Sequence, residues 1–305
     1  MSNSSNLRAF AALALGVIAI AWSAIFVRWT HMPGLASAFY RVFFAGVMLW
    51  PGLLLFKGAD VRRIASIRSL DRPTLRLAAL GGLFFAGDVG LYNISVLHTT
   101  AGGATLLGNN APIFVGLISW VMTGKAPPRY FWLVLVIATG GVFLIMQVDA
   151  HRVGLQYAAD LLAVGTSVCF ALYLVVTQRL RDTCDTGVLL ALSSTASAAV
   201  LFVMALATHT SLRIPGASSW AAVLGLALVC QVTGYFSLTY ALGHLPATVT
   251  SILLLAVGPL SALLALIIFG EHMAPRQIVG GALVLVGVWL AGRFHGVVRL
   301  PAIVE

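Results

Sequence analysis

Apolar residues run along this chain in long, nearly unbroken blocks, and polar residues gather in short stretches between them. Each block is roughly 20 residues, the length a helix needs to cross the hydrocarbon core of a bilayer. The pattern predicts ten spans, near residues 9–29, 35–56, 77–97, 100–122, 130–148, 154–177, 187–208, 219–241, 246–269 and 277–293. The connections are too short for a water-soluble domain, so residues 1–305 are expected to form a single all-α integral membrane domain. The opening run ends at Arg28 with no small-residue cleavage site, which predicts a first helix and not a signal peptide.

Composition agrees with the pattern, since 60% of the residues are hydrophobic and only 9% charged, against about a quarter charged in a soluble domain. The formal net charge of +9 would suit a nucleic-acid partner, but its distribution gives it another meaning. With the amino terminus inside, thirteen Lys and Arg fall on inner connections and tails, six of them between Lys57 and Arg76. Four, Arg28, Arg152, Arg213 and Arg276, fall on outer ones, and Arg41 lies within a span. This bias places both termini in the cytoplasm and leaves nucleic-acid binding without support. Cys169, Cys184 and Cys230 are expected to be free thiols, too few and too scattered for a disulfide framework.

Proline and glycine reveal a repeat. Pro112, Pro128, Arg129 and Gly140 recur as Pro259, Pro275, Arg276 and Gly287, each displaced by 147 residues. Each half holds five spans, an odd number, so the second copy enters the membrane from the opposite side. The expected architecture is a 5+5 inverted repeat, an arrangement found chiefly in transporters.

The second half reads YALGHLPATVTSILLLAVGPLSALLALIIFGEHMAPRQIVGGALVLVGVWL, with Pro259, the Gly270-Glu271 pair, Gln277, Gly280 and Gly287. It resembles the EamA-type half-domain of the drug/metabolite transporter superfamily, and the resemblance covers essentially the whole chain, residues 1–150 as the first repeat and 151–305 as the second. The first half departs from the pattern, with Gly124-Lys125 near the position of the Gly-Glu pair. The resemblance implies a ten-helix carrier of the bacterial inner (plasma) membrane that exports small polar or amphipathic metabolites by alternating access about a central cavity. Within the superfamily the chain is similar to bacterial YddG-type exporters, which favour aromatic amino acids. Asn109 and Asn110, just before Pro112, match in kind the polar residue such exporters carry there.

Asp88 is the residue that the apolar pattern least explains. It stands in GLFFAGDVGLYNISV, where Gly81, Phe84, Phe85, Asp88, Tyr92 and Ser95 share one helical stripe and Leu83, Ala86, Gly90 and Ile94 lie opposite. A charge at the bilayer centre costs about 2.5 to 3.5 kcal/mol on insertion scales, so the carboxylate is expected to face a partner or a wet cavity. The 147-residue offset carries Phe84 to Gln231 and Asp88 to Tyr235, which places the cavity between the third and eighth helices.

The candidate substrate-binding residues are therefore Trp22, Arg41, Phe84, Asp88, Tyr92, Asn109, Asn110, Gln231 and Tyr235. Asn109 and Asn110 could equally be polar glue between helices. Arg41 could bind a substrate carboxylate or form a structural ion pair with Asp88 or Asp160. Tyr40, Phe170 and Tyr173 are further aromatic candidates for the cavity wall. The seven histidines are too dispersed for a metal site, and no cofactor is expected. No phosphate-binding glycine loop is present, so transport is not expected to draw directly on ATP; protons are candidate coupling ions through Asp88. A membrane-embedded enzyme would need a nucleophile, base and acid in convergent positions, and a channel would need rings of like charge; neither pattern is seen.

Overall fold

The computed structural model describes residues 3–55, 71–98, 104, 108, 110–124, 126, 129–146, 155–270 and 274–294. Gly102, Thr105, Asn109, Lys125, Pro128, Glu271 and the basic stretch 57–68 lie outside them, as does the side chain of Asp160.

Among the described residues every regular element is a helix. In chain order they are α1 (Asn3–Ala21), α2 (Ser23–Trp29), α3 (Gly34–Leu55), α4 (Arg72–His98), α5 (Ala111–Thr123), α6 (Arg129–Met146), α7 (Leu155–Leu180) and α8 (Thr186–Ala207). There follow α9 (Ala217–Gly225), a π-helical segment (Leu226–Tyr235), α10 (Phe236–Leu242), α11 (Ala247–Leu254), α12 (Val257–Phe269) and α13 (Pro275–Phe294). Seven stretches are long and apolar enough to span a bilayer: α1 with α2, α3, α4, α7, α8, α9 through α10, and α11 with α12. Three shorter apolar helices, Ala111–Met122, Arg129–Gly141 and Pro275–Leu290, stand where the sequence pattern predicts further spans.

Burial explains why the chain prefers lipid to water. Leu83, Val121, Val136, Val203 and Ile267 are all exposed, a surface that would drive a soluble protein to aggregate and that a bilayer accepts without cost. Between the helices the chain is tightly packed: α4 lies along α7, α6 along α13, α8 across α3 and α4, and α1 against the π segment and α10. The Asn93 amide meets Ser37 Oγ at 3.0 Å, tying α4 to α3.

Helix ends follow local chemistry. Asp71 Oδ1 accepts from the Thr74 amide at 3.1 Å and so caps the start of α4. Bonding to Thr74, by side chain first and then backbone, holds the exposed Asp71 carboxyl below its usual range, so this cap is intact at neutral pH and is lost as pH falls through the lowered value. At the other kind of end, Gly124 (φ 65°) and Gly270 (φ 64°) close α5 and α12 in the left-handed conformation that glycine tolerates best. These are the two glycines that the family resemblance sets near one another's positions in the two halves.

Several spans are broken partway along. α1 and α2 meet at Trp22, α11 and α12 meet at Leu255 and Ala256, and the span from α9 to α10 passes through the π segment. Elsewhere a proline leaves a backbone carbonyl without its helical partner. Pro112 at the start of α5 cannot donate to the carbonyl of Gly108, four residues earlier, and Ser167 Oγ donates to that carbonyl at 2.8 Å instead. The same hydroxyl accepts from the Asn110 amide at 3.0 Å. Ser167→Ala is therefore expected to destabilise the protein by about 1 to 3 kcal/mol, because two backbone groups lose a buried partner. Thermal unfolding in detergent would measure it, and a melting temperature equal to wild type would remove this role.

Candidate substrate-binding site

The helix breaks converge on one cavity. Ile20 and Ser23 flank the break at Trp22, Leu254 and Val257 flank the break between α11 and α12, and Tyr235 ends the π segment; all five line it. Arg41 from α3, Asp88, Val89 and Tyr92 from α4, Gly108, and Thr166 and Phe170 from α7 complete the wall. The cavity volume is about 40 Å³, space for a few waters.

Arg41 is its main polar feature. The side chain is 2% exposed; its Nε donates to Gln231 Oε1 at 3.0 Å and its Nη1 to Ser23 Oγ at 2.8 Å. The guanidinium also lies 5.3 Å from the centroid of the Tyr235 ring, close enough for a cation–π attraction that is stronger away from water. Its Nη2 has no hydrogen-bond partner among the described residues. Asp88, 5% exposed, is reached through Tyr235, whose hydroxyl donates to Oδ2 at 3.3 Å. Tyr235 thus stands between the two charges, its ring beside one and its hydroxyl on the other.

Gln231 and Tyr235 both belong to the π segment and, four residues apart, lie on one face of it, so both reach Arg41. Aromatic rings close the space behind: Phe85 stacks on Tyr173 with centroids 4.6 Å apart and leans on Tyr235 at 4.7 Å, and Phe170 stacks on Tyr173 at 6.3 Å.

Of the residues singled out from the sequence, Arg41, Asp88, Tyr92, Phe170 and Tyr235 share the cavity wall, and Gln231 stands immediately behind Arg41. The wall draws on more than the predicted third and eighth spans, which are α4 and the stretch from α9 through α10, because α1, α2, α3, α7, α11 and α12 also contribute. Trp22 sits at the break itself and packs on Phe26, with ring centroids 6.0 Å apart. Phe84 packs against the apolar core, and Asn110 is held by Ser167. Asn109 lies outside the described residues. On the face opposite Asp88, Leu83 is exposed as a lipid-facing residue should be, whereas Ala86 and Gly90 are buried, Gly90 against Leu201. Arg41 makes no direct ion pair with Asp88.

Sequence reasoning missed Ser23 and Thr166. The 147-residue offset could have found the first, because it carries Ser23 to Phe170, and both line the cavity. Nothing distinguishes Thr166 in the sequence, since a lone hydroxyl in an apolar helix is common. Among the described residues no group of three or more His, Cys, Asp or Glu side chains is placed to hold a metal ion.

A family model described as the EamA-like transporter family matches residues 7–147 and again residues 157–293. The chain belongs to that family. This EamA-like transporter is 28% identical over 232 residues to a probable terminal-alkyne amino-acid exporter of Streptantibioticus cattleyicolor, covering 74% of this chain and 75% of that one. It is 26% identical over 193 residues to the uncharacterized transporter YwfM of Bacillus subtilis, covering 61% of this chain and 62% of the relative's length. An uncharacterized transporter of Archaeoglobus fulgidus is 24% identical over 283 residues, 93% of this chain and 96% of that one. A solved crystal structure superposes with a TM-score of 0.74 over 98% of this chain and 100% of its own, at 18% identity, a likeness of fold.

Proposed function

We propose that this EamA-like transporter is a secondary carrier that exports small amphipathic metabolites, amino acids first among them and aromatic ones favoured, by alternating access through the cavity at Arg41 and Asp88. The observation that carries this reading is one buried cavity bearing a cation, an anion and an aromatic wall where several broken helices meet. Broken helices leave backbone and side chains able to rearrange around a midplane site, which is how carriers of this architecture bind and release cargo. The Streptantibioticus relative, named as a probable amino-acid exporter, supports the substrate class.

The same proposal includes ten spans in two inverted halves, with both termini in the cytoplasm. Its support is the double match of one family model and a contact pattern that pairs off between halves: α4 with α7 answers α1 with the π segment and α10. Asp88 and Tyr235, joined by a hydrogen bond, stand 147 residues apart.

Counterflow in proteoliposomes tests the carrier and its substrate together. Vesicles preloaded with unlabelled phenylalanine, leucine, a sugar, a nucleoside or a cationic drug are diluted into tracer of the same compound. Transient tracer accumulation with an aromatic amino acid is the expected result; accumulation only with sugars, nucleosides or cations would assign another substrate. Flux that rises linearly with concentration and shows no counterflow would indicate a pore.

A further inference from the structure

The cavity carries two opposite charges that do not neutralise each other directly. Arg41 spends Nε on Gln231 and Nη1 on Ser23 and leaves Nη2 unpartnered, although a guanidinium this deeply buried gains most from filling its whole donor fork. Among the described residues Asp88 receives one hydrogen bond, at 3.3 Å from Tyr235.

We propose that Arg41 and Asp88 divide the two ends of one α-amino acid zwitterion: Arg41 Nη2 takes the α-carboxylate and Asp88 takes the α-ammonium. This deepens the proposed function and rests on its amino-acid reading. Tyr235 stands between the charges, with its ring against the guanidinium and its hydroxyl on the carboxylate. Substrate inserted between them replaces that bridge.

Charge arithmetic makes the cavity selective. A zwitterion brings no net charge into the apolar interior and leaves neither protein charge unpaired. A cationic amine meets Asp88 but is repelled by Arg41; an organic anion meets Arg41 but is repelled by Asp88. An uncharged solute satisfies neither, and each unpaired buried charge costs several kcal/mol. Selectivity of this kind comes as much from what is rejected as from what is bound.

Equilibrium binding to the full chain in nanodiscs tests the assignment with three probes of one shape: phenylalanine, phenylalaninamide, which lacks the carboxylate, and 3-phenylpropionate, which lacks the ammonium. Wild type is expected to prefer phenylalanine to each analogue by about tenfold or more, the usual worth of a charge-assisted pair. In Arg41→Gln the preference over phenylalaninamide should collapse while that over phenylpropionate persists; in Asp88→Asn the pattern should reverse. Arg41→Lys, which keeps the charge, should retain part of the first preference and guards against a misfolded glutamine variant. Equal wild-type affinity for phenylalanine and its amide, or preferences unchanged in both variants, would overturn the proposal while leaving an amino-acid carrier intact. If wild type binds neither phenylalanine nor leucine yet shows counterflow with another compound, the amino-acid reading itself fails, and this assignment fails with it.

Discussion

Asp88→Ala is expected to lose transport by about tenfold to a hundredfold while reaching the membrane in normal amount. The carboxylate is 5% exposed, lines the cavity and accepts the Tyr235 hydroxyl at 3.3 Å. A hydrogen bond to a charged group contributes about 1.5 to 3 kcal/mol, which is the factor just given. The loss leaves Arg41 as the cavity's one charge among the described residues, so the site would change from neutral to cationic and repel the ammonium end of its cargo. Tyr235→Ala should lose a comparable amount, because it removes both the ring beside the guanidinium and the hydroxyl on Asp88. Asp71→Asn supplies the control: this carboxylate is exposed at the start of α4, and asparagine caps a helix nearly as well. Counterflow normalised to reconstituted protein makes the comparison, and normal rates in both cavity variants would place the substrate elsewhere.

How much of this was visible in the chain differs residue by residue. The partnership of Asp88 with Tyr235 was legible, because an offset read from two prolines, an arginine and a glycine in each half set the two positions opposite each other, and they meet through a hydrogen bond. Arg41 was legible as an anomaly, being a charge inside an apolar block. Its partners were not. Gln231 comes from the other half of the chain and Ser23 from the preceding helix, and the packing of the helices, which no local pattern records, brings both to the guanidinium.

Hydropathy sees a continuous apolar block through Trp22 and through Leu226–Tyr235 alike, because breaking a helix inside a protected bundle changes hydrogen bonding and leaves residue type untouched. The proline at position 112, by the donor it lacks, leaves the Gly108 carbonyl to the Ser167 hydroxyl. Phe84 misled for a different reason: a 100° stripe identifies one polar face, but α4 is surrounded by α3, α7 and α8, so several of its faces are buried and membership of the stripe does not fix which residues reach the cavity.

Gly141→Ala and Gly140→Ala, adjacent substitutions of the same chemistry, are expected to act in opposite directions. The 147-residue repeat drew attention to Gly140, yet a methyl group added there meets nothing within 4 Å. At Gly141 the same methyl would sit 2.5 Å from the carbonyl oxygen of Gly280 and 3.0 Å from Leu283 Cβ. Neither neighbour is the flexible end of a side chain, so α6 and α13 would have to move apart along their contact. Overpacking of this sort costs about 1 to 3 kcal/mol, whereas exchanging glycine for alanine in an unobstructed helix gains up to about 1 kcal/mol. The two variants should therefore unfold on either side of wild type in detergent, with Gly141→Ala the lower. A bilayer offers no hydrophobic drive to press α6 against α13, so their association depends on this close approach. If Gly141→Ala melts at or above wild type, the backbones are not in contact at that point.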